Sequence, residues 1–420
     1  VRSEIVSAAS DPAATVAQLR ALIPAGDSVA DGVAAIIADV RARGDEAVLE
    51  YTERFDTRGR PPLPLRVPGP TLQAAFDALP DELRGALSLA IANVRGAAEA
   101  ALQLDRIVRL PAAEVTLREA PVGSAAVYVP GGRAPYPSTV VMGVVTAVAA
   151  GVRNVVVCAP PGAGGEIDPV VLAACRMTGA EAVYRMGGAQ AIAALAYGTD
   201  SIAPVDVIVG PGNLWVQEAK RQASGQVGLD SFAGPSDLLV LADPGSDPGP
   251  IALDLLAQAE HGPGTLVVAA SWSRALLQEL ADRIVPAAET GAICRFVALD
   301  SAAQGARLAR SFAPEHLQLI GLQSESLAAE MTTAGCVFVG AAAATAFGDY
   351  IAGSNHILPT GGAGRFASAL SARTFRRSFT EVRVTDPAHL ARCAAPLARA
   401  EGFEYHAQSM EARIGENGTR

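Results

Sequence analysis

The sequence predicts an α/β protein: two Rossmann-like parallel-sheet domains with small helical parts at the N- and C-terminal ends. Three observations point there. Apolar residues make up 50% of the chain and charged residues 18%, a globular balance and not a disordered one. With 420 residues, the chain has room for roughly two to four domains. Strand-like and helix-like runs alternate in two long series, the pattern of parallel βαβ units.

The elements follow in order. Residues 1–27 read as an N-terminal helical segment. Val29, Val33, Ile36, Ile37 and Val40 then recur mostly at three- and four-residue spacing, one face of a helix. "RARGDEAVLEYTERFD" continues as a second helical piece, and the Pro-rich "RGRPPLPLRVPGP" is a connection. Helical sequence resumes near Leu72 and runs, with breaks, to about Leu104. The first alternating series is "AAVYV", "NVVVCAP", "DPVVLAACRMTG", "AEAVYRMG", "AQAIAALAYG", "VDVIVG" and "NLWVQEAKRQ". In it Asp168 is the expected N-cap and Pro169 the first helical residue. The second series is "DLLVLAD", "IALDLLAQAEH", "TLVVAAS" and "SRALLQELADRIV", with "HLQLIG" and "CVFVG" as further strands. The expected division is residues 1–27, a discontinuous α/β domain of 28–127 plus 237–370, a second α/β domain of 128–236, and a small helical domain of 371–420. The first 120 residues are expected to pack on the second sheet.

Composition narrows the function. The net charge is -10, Lys220 is the only lysine, and no basic tract occurs, which disfavours nucleic acid. Ala134 to Val152 has the length of a membrane span, but its early prolines fit a buried helix after a loop, so no membrane partner is expected. The N-terminal stretch lacks an apolar signal core. The five cysteines are scattered and fit buried thiols in a reducing, cytoplasmic setting.

Glycines follow predicted strands in "VPGG", "MGGAQ" and "VGPGN", yet none forms GxGxxG or a P-loop. They are either plain turns or places where a phosphate approaches backbone N–H groups at a helix start. Four of the five histidines stand near a carboxylate or amide. Gln258 and His261 share a helix face at i, i+3. Glu315 precedes His316 after a proline, Asp349 and His356 share a Gly-rich stretch, and Glu401 precedes His406. His389 sits at an ordinary helix position and reads as structural or surface. Each histidine alone is more often structural; together they suggest a metal or acid–base site.

The sequence resembles bacterial histidinol dehydrogenases. "VYVPGGRAPYPSTVVM", "RMGGAQAIAALAYGT", "AGPSDLLVLAD", "QAEHGP", "APEHL", "GDYIAGSNH" and "EGFEYH" carry the resemblance, which covers roughly residues 28 to 410. It implies a zinc- and NAD-dependent oxidation of L-histidinol to L-histidine by way of an aldehyde. It implies Gln258, His261, Asp349 and His406 as zinc ligands, the last reaching the site of a partner subunit in a homodimer. Glu315 and His316 match the catalytic pair, Ser236, His356 and Glu401 the substrate contacts, and Tyr128, Gln190 and Asn213 the NAD contacts. A Gln, an Asp and two neutral His around Zn²⁺ leave a net charge of about +1. His316, ordinarily near pKa 6.5, suits removal of the hydroxyl proton, and Glu315 suits activation of water. The missing GxGxxG loop fits an exchangeable cofactor. The chain departs from the family at "GAAAATAF", "ASALSARTF" and "VVMGVVTAV", around Asp349 and on the cofactor side. The alternatives are the same scaffold acting on another amino alcohol or polyol, or a non-catalytic binding or structural protein that keeps the scaffold. A broken ligand set would mark the latter, and none is broken here.

Overall fold

The structure, a computed structural model, describes residues 2–8, 10–23, 29–131, 134–231, 234–285 and 289–415. Gly132 of the "VPGG" run lies outside them. The chain opens with β1 (Arg2–Ser7), α1 (Pro12–Arg20), α2 (Ala30–Arg43) and α3 (Asp45–Phe55). α4 (Gly69–Asp77), α5 (Asp81–Ala100), β2 (Arg106–Leu110) and β3 (Ala113–Pro121) follow.

The first alternating series begins with β4 (Ser124–Tyr128). α6 (Pro137–Val140) then passes through a π-helical turn, Val141–Val145, into α7 (Thr146–Ala149). Next come β5 (Asn154–Ala159), α8 (Pro169–Thr178), β6 (Ala182–Arg185) and α9 (Gly188–Tyr197). β7 (Val207–Val209), α10 (Leu214–Ala223) and β8 (Gly228–Leu229) complete it. Its parallel sheet has the order β6-β5-β4-β7-β8. Asp168 caps α8 through Val170 N–H, as its sequence predicts. The apolar run from Ala134 is helical and belongs to this fold; no described helix is long and apolar enough to cross a membrane.

The second series is β9 (Asp237–Ala242), α11 (Pro248–Ala259), β10 (Leu266–Ser271), α12 (Arg274–Ile284) and β11 (Ile293–Ala298). It continues with α13 (Ala302–Phe312), β12 (His316–Ile320), α14 (Leu322–Glu325), β13 (Cys336–Val339) and α15 (Thr345–Tyr350). The sheet order is β1-β11-β10-β9-β12-β13, all parallel. The chain closes with β14 (Arg376–Val384), α16 (Pro387–Ala400) and α17 (Glu404–Glu411).

Three expectations need correction. The N-terminal segment is not purely helical: "RSEIVS" is β1, the edge strand beside β11. It has too few apolar residues for a period to be read, so pairing with β11 decides its conformation. Second, most of the first 100 residues pack on the first sheet. Val33, Ile36, Ile37 and Val40 of α2 and Val48 of α3 share a core with Tyr128, Val156, Ile192 and Val216. Handedness explains this. Strand order reverses after β6, so right-handed crossovers place α9 and α10 on one face and α6 to α8 on the other. Both faces of that short sheet still have apolar surface to cover; α2 and α3 meet α9, while α4 meets α8 and α5 meets the π turn. Only β1 and α1 join the second sheet, with Leu19 buried in the core beneath Phe312 and Leu239.

The third correction concerns the domain limits. The chain divides into two compact units: residues 1–101 with 122–375, and residues 102–121 with 376–420. The C-terminal part is not only helical, because β14 pairs antiparallel along the whole of β3 in the sheet β14-β3-β2. That pairing joins segments more than 250 residues apart in the chain, as Arg376 to Pro121 does, and no local period announces it.

Candidate active site

Both sheets meet their candidate residues at strand ends. In the first sheet these are the carboxyl ends, where the glycine runs were expected to lie. Tyr128 ends β4 and is buried. Its hydroxyl accepts the Gly188 N–H at 3.2 Å, at the start of α9. Burial pushes the Tyr128 hydroxyl well above its usual pKa, so it stays protonated. Gln190, two residues further on, is buried and its Nε2 has no hydrogen-bond partner. Asn213 Oδ1 caps α10 by accepting the Trp215 and Val216 N–H groups. These three residues line one cleft of about 990 Å³ with Pro130, Pro160 and Trp215. A cavity of that size holds a cofactor, and the orphaned Gln190 amide is a donor waiting for an acceptor.

The loop carrying Asn213 is pinned from behind. Lys220 Nζ donates to Gly210 O at 2.6 Å and to Asp230 Oδ1 at 2.8 Å, and Asp230 Oδ2 accepts the Gly210 N–H at 2.7 Å. Gly210 has φ of 116°, and a Cβ there would stand 2.1 Å from Tyr128 O. Only glycine fits that approach.

In the second sheet the candidate residues lie at the amino ends of strands. Ser236 immediately precedes β9 and Glu315 immediately precedes β12, whose first residue is His316. Glu315 and His316 are both buried, and Glu315 Oε2 is 3.8 Å from His316 Nδ1. The bend after Pro314 lets the two side chains converge. His316 Nε2 lies 3.4 Å from Asp349 Oδ1, on α15. Burial alone would lower the His316 pKa; Glu315 and Asp349 on its two sides outweigh it and raise it. Burial raises the Glu315 pKa, opposed by His316 and by the Ser236 hydroxyl.

A hydrogen-bond chain links this pair to α11. Gln258, buried near the end of that helix, donates Nε2–H to Ser236 Oγ at 2.7 Å, and the Ser236 hydroxyl donates to Glu315 Oε2. With Nε2 so held, Gln258 Oε1 is the atom left to face a cation. His261 Nδ1 stands 3.1 Å from Gln258 O. With a proton on Nδ1, Nε2 would be the nitrogen able to face a cation, the ring oriented by a backbone carbonyl. Asp349 is also within electrostatic reach of His261, which with His316 and His356 helps hold its carboxyl below the usual range against burial. An amide oxygen, an imidazole nitrogen and a carboxylate make a donor set that fits Zn²⁺. Among the described residues, no three His, Cys, Asp or Glu side chains cluster for a metal. One expected ligand is a glutamine, and another, His406, belongs to the second unit.

His356 has both ring nitrogens engaged: Nδ1 with Asp349 O at 2.9 Å and Nε2 with Thr139 Oγ1 at 3.2 Å. Burial lowers its pKa, in keeping with a neutral ring. Thr139, which the sequence did not single out, ties the Asp349 segment to α6. Glu401 caps the end of α16 and His406 lies on α17; both are exposed, and the His406 ring packs on Phe403 at 5.1 Å between centroids. His389 is an exposed residue of α16, as expected.

Comparison with known proteins adds the family. The model of the family described as histidinol dehydrogenase matches residues 24–414. The chain belongs to the histidinol dehydrogenase family. It is 44% identical over 395 residues to the histidinol dehydrogenase of Parasynechococcus marenigrum, covering 90% of each chain. It is equally identical over 399 residues to that of Ruegeria pomeroyi, covering 91% of each. The crystal structure of histidinol dehydrogenase from Elizabethkingia anophelis superimposes with a TM-score of 0.91 at 30% identity, over 98% of both chains. The α/β fold with parallel sheets and flanking helices is therefore the family's.

Proposed function

We propose that this chain oxidises L-histidinol to L-histidine, with the amino-end cluster of the second sheet as its reaction centre. As a member of the family it is an NAD-dependent dehydrogenase that uses zinc. The observation that carries the residue assignment is the convergence of the hydrogen-bonded run Gln258–Ser236–Glu315 with His316, 3.8 Å from Glu315 and 3.4 Å from Asp349. It joins a cation-binding amide to two bases and a carboxylate.

When bound, zinc supplies Lewis acidity and a fixed charge for the substrate, and NAD supplies the hydride acceptor. The chain's own residues do the rest. Gln258, His261 and Asp349 would hold the metal, with His406 of a second copy completing the set. His316 takes the hydroxyl proton of the alcohol as a hydride leaves carbon for the first NAD, giving the aldehyde. A cation held by Asp349 would offset the carboxylate charge that raises the proton affinity of His316 and so would favour the neutral ring a base needs. Water then adds to the aldehyde carbon as Glu315 takes its proton. The hydrogen bonds to the Glu315 carboxylate from the Ser236 hydroxyl and from Asp237 N–H, the latter at 3.0 Å, both go to Oε2. Oε1 is thus the oxygen for the water. The hydrate loses a second hydride to a second NAD and becomes the acid. Ser236 and His356 border the substrate, and Glu401 of the partner pairs with its ammonium. Tyr128, Gln190 and Asn213 receive the cofactor in the first-sheet cleft, with residues 128–236 as the cofactor-side domain.

A homodimer is part of this reading. In the second unit, Val108, Val115 and Val382 share one sheet face, as do Leu110 and Val384. Val108, Leu110, Val382 and Val384 are each at least 43% exposed, more apolar surface than a small isolated sheet carries without a partner. Two NADH per L-histidine from zinc-loaded protein is the expected yield. No NADH, from protein holding one zinc per chain, would point to another amino alcohol or polyol.

A further inference from the structure

We infer that Asp237, held by Arg20 from the N-terminal helix, is a positioning residue that sets the place and the basicity of Glu315. The inference rests on the reading of Glu315 as the base for water addition.

Asp237 is the first residue of β9 and is fully buried. Its Oδ1 accepts the Glu315 N–H at 2.7 Å, while its own N–H donates to Glu315 Oε2 at 3.0 Å. The two residues thus clamp each other reciprocally across the starts of β9 and β12. Asp237 Oδ2 accepts the Gly361 N–H at 3.2 Å, from the Gly-rich loop that follows His356. The same oxygen accepts from Arg20 Nη1 at 3.3 Å. Arg20 in turn donates Nη2–H to Phe312 O at 2.6 Å, and its guanidinium lies 4.4 Å from the centroid of the Phe312 ring. Asp237 takes three N–H donors and gives none from its side chain; burial raises its pKa, and Arg20 with the Glu315 and Gly361 N–H groups opposes that and favours the ionised form. A buried carboxylate needs a cation to remain charged, and Arg20 faces it.

Two effects follow for Glu315. Its backbone and one carboxylate oxygen are fixed to Asp237, so Oε1 has little freedom to wander from the reacting carbon. A fixed negative charge behind a carboxylate also makes that carboxylate a better proton acceptor. The groups facing Glu315 are His316 on its own strand, Ser236 and Asp237 at the start of β9, and Asp349 beyond His316, with Arg20 behind Asp237. Arg20 keeps Asp237 charged, so removing either one takes the negative charge away from Glu315.

The test is single-turnover oxidation of the aldehyde in the zinc-loaded holoenzyme, read across pH. Asp237→Asn is expected to slow that step about 100-fold, as a mispositioned catalytic group does, with KM for NAD unchanged. Its acidic limb is expected at lower pH. Arg20→Gln removes the cation that keeps Asp237 ionised, so its acidic limb is also expected at lower pH, with partial return in Arg20→Lys and a smaller loss of rate because the Asp237 clamp on Glu315 remains. A purely structural role would lower the rate and leave both acidic limbs at the parent's pH, and that result overturns the inference. Should Asp237→Asn fail to fold, Arg20→Gln and the doubly substituted chain carry the same test. Glu315→Gln runs beside them. If it keeps full aldehyde oxidation, the reading of Glu315 fails; if it loses that step while Asp237→Asn keeps it, only the inference about Asp237 fails.

Discussion

The two sheets are built alike and used from opposite ends. Each is parallel and doubly wound, and each has a point where strand order reverses, the usual place for a ligand. In the five-stranded sheet that rule holds: Tyr128, Gly188 and Asn213, at or after the carboxyl ends of β4, β6 and β7, line the cleft. In the six-stranded sheet the equivalent crevice between β9 and β12 is closed. Asp243 fills it, accepting Gln323 N–H at 2.7 Å, Ser324 N–H at 3.0 Å and the Ser324 hydroxyl at 2.7 Å. A Cβ on Gly321 would meet Asp243 Cβ at 2.4 Å. An anion-binding crevice is available only while its N–H groups are uncommitted. A carboxylate from the chain itself takes them here, and the proposed chemistry sits at the opposite edge.

That contrast can be tested from its largest expected effect downward. His261→Ala should lose zinc, read by elemental analysis, and nearly all turnover, while its circular dichroism stays native. Full activity without metal would remove the amino edge of the second sheet from the mechanism. Glu315→Gln should slow aldehyde oxidation by about 10²- to 10⁴-fold, the range for losing a general base, and alcohol oxidation less. Equal losses in the two half-reactions would end the division of labour between Glu315 and His316. Lys220→Met leaves Asp230 buried without its cation, a loss of about 3–5 kcal/mol in denaturant unfolding. A raised KM for NAD should accompany it, because the Gly210 loop is no longer pinned. Asp243→Ala should cost about 1–3 kcal/mol of stability through its orphaned donors. Its kcat and KM for NAD should stay as they are; a changed KM would show that the closed crevice still matters to the cofactor. Gln190→Leu is the mildest. Removing one donor worth about 1–1.5 kcal/mol should raise KM for NAD roughly 10-fold, with kcat little altered.

Much of this was legible in the sequence, and the exceptions share a cause. Both βαβ series could be read because buried parallel strands and amphipathic helices each leave a local signature. Gln258 and His261 could be paired by helical spacing, and Glu315 with His316 by adjacency after Pro314. β1 was not legible, since "RSEIVS" becomes a strand only beside Ile293–Ala298. The placement of α2 and α3 followed from which sheet faces lacked cover, a property of topology. Arg20 lies in no motif, and Asp237 and Thr139 lie within family stretches that gave neither a role of its own. Each acquires meaning from a partner more than 70 residues away in the chain: Arg20 from Asp237, Asp237 from Glu315, and Thr139 from His356.

The ion pair under the cofactor loop has a practical consequence. Lys220 is the only lysine of the sequence, and its side chain is 1% exposed. An amine-directed reagent therefore finds no accessible lysine side chain on the native fold. Acylation of Lys220 can proceed only when the loop lifts or the sheet opens. The rate at which that one amine becomes reactive, followed by mass spectrometry of the peptide bearing it, is a clock for local opening. It runs without any engineered probe, and cofactor seated on the loop should slow it.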